Sequence, residues 1–349
     1  MKETSKANVR NGIITGGTWC LDLNKVIAAW PAEETASEIF EVELHGGGSA
    51  CNFALDMKKL DPTLTVETIG LIGDDANGQL LIEACDRAGV VRSQLHRTSA
   101  APTNFSDAYS VRQTGRRTHL YFQGASALLT PDHFDFEQTS GRIFHLGLPG
   151  VHKLMDAAWS GHVNGWAATL QKARRAELET NFELVSIEPT RLAALVGPCL
   201  PFLDLLIANE YEVGALSGEV IAPSGTVDMA AAIRSAVALL ERGSMKIVVV
   251  HFPMGAVAVT RDGGVTVQGS VLVPVAEIVG ANGAGDAFAA GFVYGYQAGW
   301  EIARSLALAH ACAAASMRSV STTRSVDSWQ SCLQRAQAWG WREISKPSC

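Results

Sequence analysis

The chain has 349 residues, of which 47% are hydrophobic and 18% are charged, so it can form a large buried core. The net charge of −7 and the absence of a basic run argue against general binding to nucleic acids or acidic membrane surfaces. No uncharged apolar run reaches the length of a membrane span, and the polar N-terminus does not resemble a signal peptide. The seven scattered cysteines, without a CxxC pair, are typical of reduced thiols, so we predict a cytoplasmic protein.

The first part of the chain alternates between short apolar strands and helices. Strands are predicted at 12–21, 39–45 and 65–72, and helices at 50–60 and 78–88. The first strand ends near Asp22, Ser49 is placed to cap the first helix, and Gly89 ends the second helix.

Residues 105–123 differ from this pattern because polar and apolar side chains alternate on both sides of a turn at 113–115. Such alternation predicts a β-hairpin. Together with the strand at 39–45, the hairpin is predicted to form a small lid sheet, built from two insertions at about 36–46 and 103–124.

The second part of the chain again alternates strands with helices. Strands are predicted at 143–146, 182–187, 205–209 and 246–251, and helices at 161–178, 226–242, 287–299, 301–317 and about 327–340. Apolar strands between amphipathic helices predict a mainly parallel sheet with helices on both faces, a doubly wound three-layer α/β/α fold. We predict one domain over 11–330 that carries the lid, followed by a C-terminal helix and tail at 331–349.

The most informative segment is the glycine-rich one that ends in Asp286. A short strand at 275–279 is predicted to lead into Gly283, Ala284 and Gly285, where a helix begins. Free N–H groups at a helix start favour an anion, and small residues let a phosphoryl group approach the backbone. A carboxylate beside such a site suits a base that deprotonates an attacking hydroxyl. The alternative is that Asp286 only caps the helix.

A second glycine cluster, at 46–48, also precedes a helix, and Asn52 on that helix offers a donor and an acceptor to a polyol hydroxyl. The alternative is a tight turn followed by a polar residue of the core. Motifs of other enzyme classes are missing from the sequence: the P-loop, GxGxxG, GxSxG and HExxH.

Four ordered segments together resemble the PfkB, or ribokinase-like, family of carbohydrate kinases over residues 11–330. Residues 280–292 are similar to its DTxGAGDxFxxGF signature, and residues 47–54 are similar to GGxxxNxA. Residues 70–78 are similar to GxxGxDxxG, and residues 209–212 to NxxE. The resemblance implies the ribokinase-like fold and a sugar kinase that uses ATP and Mg²⁺.

The same resemblance implies roles for individual residues. Asp286 would be the catalytic base, and the backbone of Gly283, Ala284 and Gly285 would form the anion hole. The substrate-binding residues would be Asp22, Gly48, Asn52 and Arg117, the last on the lid. The nucleotide-binding residues would be Asn209, Glu212, Gly255 and His310, with Glu212 acting on magnesium through water. Structural alternatives stay open for four of them: a solvated strand end for Asp22, surface charge pairing for Arg117, a surface helix position for Glu212 and core packing for His310.

Three departures from the family pattern affect what the resemblance implies. Gly280 and Ala281 replace the usual Asp and Thr, and that Asp helps hold K⁺ in relatives, so K⁺ activation does not carry over to this chain. Residues 251–253 replace the TxG of the nucleotide loop. Gly147 stands where ribose-specific relatives have a sugar-binding Glu, which argues against ribose as the substrate.

We therefore predict a phosphotransferase that moves the γ-phosphoryl group of ATP to a hydroxyl of a small carbohydrate. The alternatives are a nucleoside kinase of the same family and a sugar or nucleoside sensor without catalysis. A nicotinamide-dependent oxidoreductase is disfavoured because GxGxxG is missing. Exposed strand edges of a small lid sheet are costly to leave bare, and the family resemblance implies that two lids pair. A homodimer is therefore expected, with no nucleic-acid or membrane partner.

Overall fold

A nine-stranded sheet forms the centre of the protein in a computed structural model that describes residues 10–114 and 117–344. Its strands are β1 (Ile13–Gly17), β4 (Val66–Gly73), β5 (Val91–Thr98), β8 (Ile143–Gly147), β9 (Glu179–Phe182), β10 (Leu205–Asn209), β11 (Ile247–Phe252), β12 (Gly255–Thr260) and β13 (Val265–Gly269). Their order is β13-β12-β11-β10-β9-β8-β1-β4-β5. All pairs from β5 to β11 are parallel, and β12 and β13 add antiparallel strands at one edge.

Helices cover both faces of this sheet. One face carries α1 (Ser49–Leu60), α2 (Ala76–Ala88), α8 (Ala284–Gln297), α9 (Ile302–Ser316) and α10 (Trp329–Trp339). The other carries α3 (Lys153–Asp156), α4 (Gly165–Arg175), α5 (Pro189–Val196), α6 (Glu210–Ser217) and α7 (Met229–Glu241). Successive strand residues point to opposite faces, so Leu205 packs in the first core and Leu206 in the second. The predicted three-layer fold is confirmed.

A separate four-stranded sheet forms the lid. It contains β2 (Cys20–Ile27), β3 (Ile39–Gly47), β6 (Phe105–Val111) and β7 (Arg117–Phe122), in the order β3-β2-β6-β7. The predicted lid segments cover most of β3 and all of β6 and β7, whereas the strand predicted at 12–21 joined β1 to the first two residues of β2. The strand is interrupted there because Gly17 has a φ of +115°, and a Cβ at this position would lie 1.6 Å from the carbonyl oxygen of Gly147. Asp22 therefore lies inside a lid strand and not at the end of a sheet strand.

The strand predicted at 182–187 was misplaced, since β9 ends at Phe182. Thr180 and Asn181 are polar but buried, and each finds a side-chain partner: the Asp204 carboxylate accepts from the Thr180 N–H at 3.0 Å, and the Asn181 amide bonds to His145 at 2.8 Å. Satisfied polar residues can occupy a central strand, so hydrophobicity alone misplaced the strand.

Two smaller predictions were also wrong. Residues 275–279 form no strand but a 3₁₀ turn at Val275–Glu277, where the Val275 side chain is 87% exposed. The N-cap of α1 is Gly48, with a φ of +87°, and Ser49 is the first helical residue. A Cβ at position 48 would lie 2.6 Å from the Thr18 carbonyl oxygen, so glycine is required there.

The parallel strands end at one edge of the sheet, where ligands of doubly wound folds bind. Strand order reverses beside β1, which lies between β8 and β4. The glycine-rich starts of α1 and α8 both lie in the layer above this edge. In the described ranges, no helix is long and apolar enough to cross a membrane.

Candidate active site

The structure brings the two glycine-rich motifs into direct contact. Asp286 lies in the first turn of α8, which follows Gly283 at a φ of +72°. The Asn52 side-chain amide, on α1, donates to Asp286 Oδ2 at 2.6 Å. The Thr322 hydroxyl donates to Asn52 Oδ1 at 2.8 Å, which fixes the orientation of that amide. Two residues 234 positions apart in sequence thus form one hydrogen-bonded pair.

Asp286 is also in contact with a carboxyl group that sequence reasoning missed, that of Glu183. Burial, followed by the charge of Glu183, raises the pKa of Asp286 well above its ordinary value. Glu183 directly follows β9 and lies beside Gly147, whose Cβ, were it present, would be 3.2 Å from the Cβ of Glu183. The carboxylate that is missing at the end of β8 is therefore present at the end of β9. Glu183 was missed because the strand predicted at 182–187 placed it within a strand and not directly after one.

The side chain of Asp22 lies in the same cleft, on the lid strand β2. It is buried, so it is not a solvated strand end, and its carboxyl group covers Gly47, where a Cβ would clash. Burial, then the charges of Asp22 and Asp286 among others, raises the pKa of the Cys20 thiol, so both carboxyl groups lie near that thiol.

Two other residues of interest, Asn24 and Arg117, lie on the lid strands β2 and β7. Asn24 lies two positions beyond Asp22 and therefore on the same face of β2. It is only 7% exposed, and its side-chain nitrogen and oxygen are both buried without a hydrogen-bond partner among the described residues. Sequence reasoning missed it because a lone Asn in a strand carries no motif. The predicted Arg117 opens β7, but its side chain lies outside the described residues.

A cavity of about 550 Å³ opens on the other side of the α8 start. Ala284 and Gly285 line it, and a Cβ at Gly285 would have no neighbour nearer than 3.9 Å. Its other walls come from the ends of β10 and β11, the 270–278 segment, α8 and α9, together with Arg342. Gly255 lies behind this wall in β12, paired with Phe252, and does not line the cavity itself.

His310 also lines this cavity, and its buried Nε2 has no partner among the described residues. The ring packs edge-on against Phe288 at 4.9 Å, and it also bonds to the Gln268 backbone. Burial, then His251, lowers the pKa of His310 to about 3, so the ring is neutral near pH 7. Such a ring offers the cavity one hydrogen-bonding nitrogen in addition to its packing role.

Asn209 and Glu212 form a capping box at the start of α6. The Asn209 side-chain oxygen accepts from the Glu212 N–H at 2.9 Å, and the Glu212 carboxylate accepts from the Asn209 N–H at 3.1 Å. The Ser186 hydroxyl donates to the other oxygen of Glu212 at 3.0 Å. Glu212 is buried, and with both oxygens engaged it fits a magnesium ion better through water than by direct ligation. In the part of the chain that is described, no three His, Cys, Asp or Glu side chains converge as ligands.

Comparison with known proteins identifies the family. Residues 17–329 match the pfkB family carbohydrate kinase description. The chain belongs to this family. Adenosine kinase of Schizosaccharomyces pombe is 25% identical over 279 residues, which cover 77% of this chain and 78% of the relative. Ribokinase of Arabidopsis thaliana is 24% identical over 288 residues, or 80% of this chain and 69% of the relative.

A solved structure of Arabidopsis thaliana ribokinase, complexed with ribose and ATP, superposes on this pfkB-family chain with a TM-score of 0.74 and 20% identity, covering 94% of this chain and 99% of that one. The predicted ribokinase-like fold and the predicted phosphotransferase with an alcohol acceptor are confirmed. The family match makes the chain a carbohydrate kinase.

Proposed function

We propose that this pfkB-family kinase phosphorylates a hydroxyl of a small sugar or nucleoside bound under the lid, with Asp286 as the general base. The observation that supports this most directly is the position of Asp286. Its carboxyl group accepts a hydrogen bond from Asn52 at the lid cleft. The first residues of the same helix, Ala284 and Gly285, line the 550 Å³ cavity. A base placed between two binding regions can reach both an acceptor hydroxyl and a terminal phosphoryl group.

On the acceptor side, Asp22, Gly48 and Asn52 would bind the hydroxyl groups, and Arg117 would contribute from the lid. The two curated relatives act on ribose or on a nucleoside that contains it, by their names. Since Gly147 departs from the ribose-specific pattern, the acceptor is expected to resemble ribose without being limited to the free sugar.

On the donor side, ATP would occupy the large cavity. The backbone N–H groups of Gly283, Ala284 and Gly285 would stabilise the charge of the transferred phosphoryl group. His310 would contact the adenine, and Gly255 would support the loop beneath it. Magnesium, ordered through water by Asn209 and Glu212, would neutralise phosphate charge when bound. Gly280 and Ala281 give no reason to expect activation by K⁺.

Closure of the lid would exclude water and limit ATP hydrolysis. The domain division is proposed as predicted, with one kinase domain at 11–330 and a C-terminal helix and tail at 331–349. The scattered cysteines support a cytoplasmic location. The six in the described ranges are free thiols.

The test is Asp286→Asn, which keeps the shape of the side chain and removes its basicity. With the best acceptor from a panel of sugars and nucleosides, we expect the ADP release rate to fall about 10²- to 10⁴-fold. Asp262→Asn, in the exposed turn between β12 and β13, is the matched control and should retain the wild-type rate. A near-normal rate for Asp286→Asn would refute the assignment of the base. An acceptor that binds the wild type without any ADP release would favour the sensor.

A further inference from the structure

The Asp286–Glu183 contact joins two groups that cannot hydrogen-bond when both are ionised. Ionised carboxylates only accept hydrogen bonds, so a contact between them requires a proton on one of the two. The two carboxyl groups are in hydrogen-bond contact, and Glu183 is only 8% exposed. The pair therefore holds one proton between its members, as pairs of close carboxylates do in other enzymes.

A buried histidine, His145, contacts the Glu183 carboxyl group. Nε2 of His145 lies 2.6 Å from Glu183 Oε2, in close contact although without the alignment of a good hydrogen bond. The Asn181 amide donates to His145 Nδ1 at 2.8 Å, which leaves the ring proton on Nε2, facing Glu183. The ring stacks on Phe53 with centroids 3.6 Å apart and planes within 14°. This packing restricts the position of the Glu183 carboxyl group.

We propose that Glu183 is a positioning residue that shares a proton with Asp286 and holds the base toward the acceptor hydroxyl. This inference rests on the proposed role of Asp286. Nothing in the motif that predicts Asp286 requires such a partner, and Glu183 lies 103 positions away on a different element.

The proton balance of the reaction is consistent with this role. In the resting enzyme the pair holds one proton and one negative charge. As the acceptor oxygen attacks the γ-phosphorus, its O–H bond breaks, and the bond from phosphorus to the ADP oxygen breaks with its electron pair left on ADP. The released proton goes to the pair, which becomes neutral. Product release and exchange with water return the pair to its singly protonated form.

The surroundings determine the sign of the pH dependence. Burial raises the pKa of Glu183 to about 7, the hydrogen bond with Asp286 acts in the lowering direction, and the charge of Glu212 in the raising direction. Burial lowers the pKa of His145 to about 3, so the ring stays neutral and does not compensate the charge of the pair. Other titratable groups that interact with the pair come from several elements, namely Asp56 on α1, Glu212 on α6 and the thiols of Cys20 and Cys51.

When the pH falls below the first apparent pKa of the pair, both carboxyl groups carry protons and no base remains, so activity is lost on the acid side. At this first pKa Glu183 is neutral, and its O–H stabilises ionised Asp286. In Glu183→Gln an amide N–H, a weaker donor, replaces that O–H, and the negative charge has no second carboxyl group to occupy, so the pKa of Asp286 rises. The acid limb of the pH profile should therefore move to higher pH.

The experiment compares kcat and kcat/KM across pH for the wild type and Glu183→Gln. We expect the acid limb to move up by about half a pH unit or more. At the optimum, kcat should fall roughly 10- to 100-fold, as for a mispositioned base, with little change in the KM for ATP. Glu67→Gln is the matched control, because Glu67 is buried at the opposite edge of the sheet and accepts from the backbone of Ser140 and Gly141. Its pH profile should match that of the wild type.

Glu183→Asp separates charge from shape, since it retains a carboxyl group that can share the proton. Its acid limb should stay near the wild-type position, with a smaller loss of kcat than Glu183→Gln. An unchanged profile in Glu183→Gln, or the same displaced limb in Glu183→Asp, would overturn the proposal. If Asp286→Asn retained activity, the assignment of Asp286 as the general base would be wrong instead. If Glu183→Gln does not fold, Glu183→Asp decides through kcat, which should fall while its KM for ATP stays near the wild-type value; an unchanged kcat would overturn the proposal.

Discussion

At the scale of single residues, the buried amide of Asn24 is the feature that most needs a ligand. An unsatisfied buried polar group costs roughly 1–3 kcal/mol, and such groups persist where a bound molecule provides the missing partners. Asn24 has both polar atoms buried without partners and shares its face of β2 with Asp22. A molecule under the lid that offers both a donor and an acceptor, such as a sugar hydroxyl, would satisfy it.

We predict that Asn24→Ala raises the KM for the acceptor about tenfold, the loss of one hydrogen bond, while the KM for ATP stays unchanged. Steady-state kinetics with each substrate varied in turn measures both constants. The matched control is Asn77→Ala, on the exposed first turn of α2, which should alter neither. If Asn24→Ala leaves the acceptor KM unchanged and only alters the melting temperature, the amide has a structural role alone.

Some residues of the candidate active site could be predicted from the sequence, and others could not. Asp286 and Asn52 were predicted because each belongs to a glycine-rich motif whose backbone chemistry is local. Their contact at 2.6 Å was not predicted, since the family resemblance implied only that both act on the same substrate. Glu183 and His145 were not predicted, because a buried carboxyl group and a buried imidazole become meaningful only when the sheet order places β8 beside β9. Such non-local pairs leave no periodic signal in the sequence.

At the scale of elements, one carboxylate joins α2 to the base of the lid. Asp75 caps α2 by accepting from the Gly78 N–H at 2.8 Å. The same carboxylate accepts from the Thr103 N–H at 2.7 Å and from its hydroxyl at 2.6 Å. Thr103 lies just before the lid strand β6, so the position of the lid depends on a helix of the main body.

We predict that Asp75→Ala lowers the free energy of unfolding by about 2 kcal/mol, because a helix cap and charge-assisted hydrogen bonds are lost together. Urea denaturation measures this loss. The neighbouring Asp74→Ala is the control, since Asp74 is exposed and its ion pair with Arg97 contributes little. Equal stability of the two variants would show that the Asp75 contacts contribute no more than a surface ion pair.

Elements were predicted well where hydrophobic periodicity and end signals agree, as at α2, which ends at Gly89 in the left-handed region. They were predicted poorly where burial and polarity disagree. The β9 strand carries Thr180 and Asn181 in its interior, whereas Val275 and Val279 are apolar but exposed. In both cases tertiary partners, and not the local sequence, decide the conformation.

At the scale of the whole molecule, the outer face of the lid carries exposed apolar side chains beside the Lys25–Asp107 ion pair. Val42, Leu44, Leu120 and Phe122 are between 44% and 61% exposed. Cross-strand neighbours point to the same face of a sheet. The register links Leu44 through Leu23 and Asp107 to Leu120, so these side chains form one surface. The lid is also bounded by two edge strands, β3 and β7, which makes it a natural place for a second copy of the chain to pair.

We predict that the protein is a homodimer through this face and that the double substitution Val42→Lys with Leu120→Lys produces monomers, because two added charges would be desolvated at the contact. Light scattering coupled to size-exclusion chromatography measures the mass in solution. The control places the same change on exposed valines elsewhere, Val163→Lys with Val220→Lys, and should remain dimeric. A monomeric wild type at micromolar concentration, or dissociation of the control as well, would exclude the lid as the dimer contact. Because dimerisation would cover the outer face of each lid, the monomeric double variant should also show a higher KM for the acceptor, as its lid lacks support in the closed position.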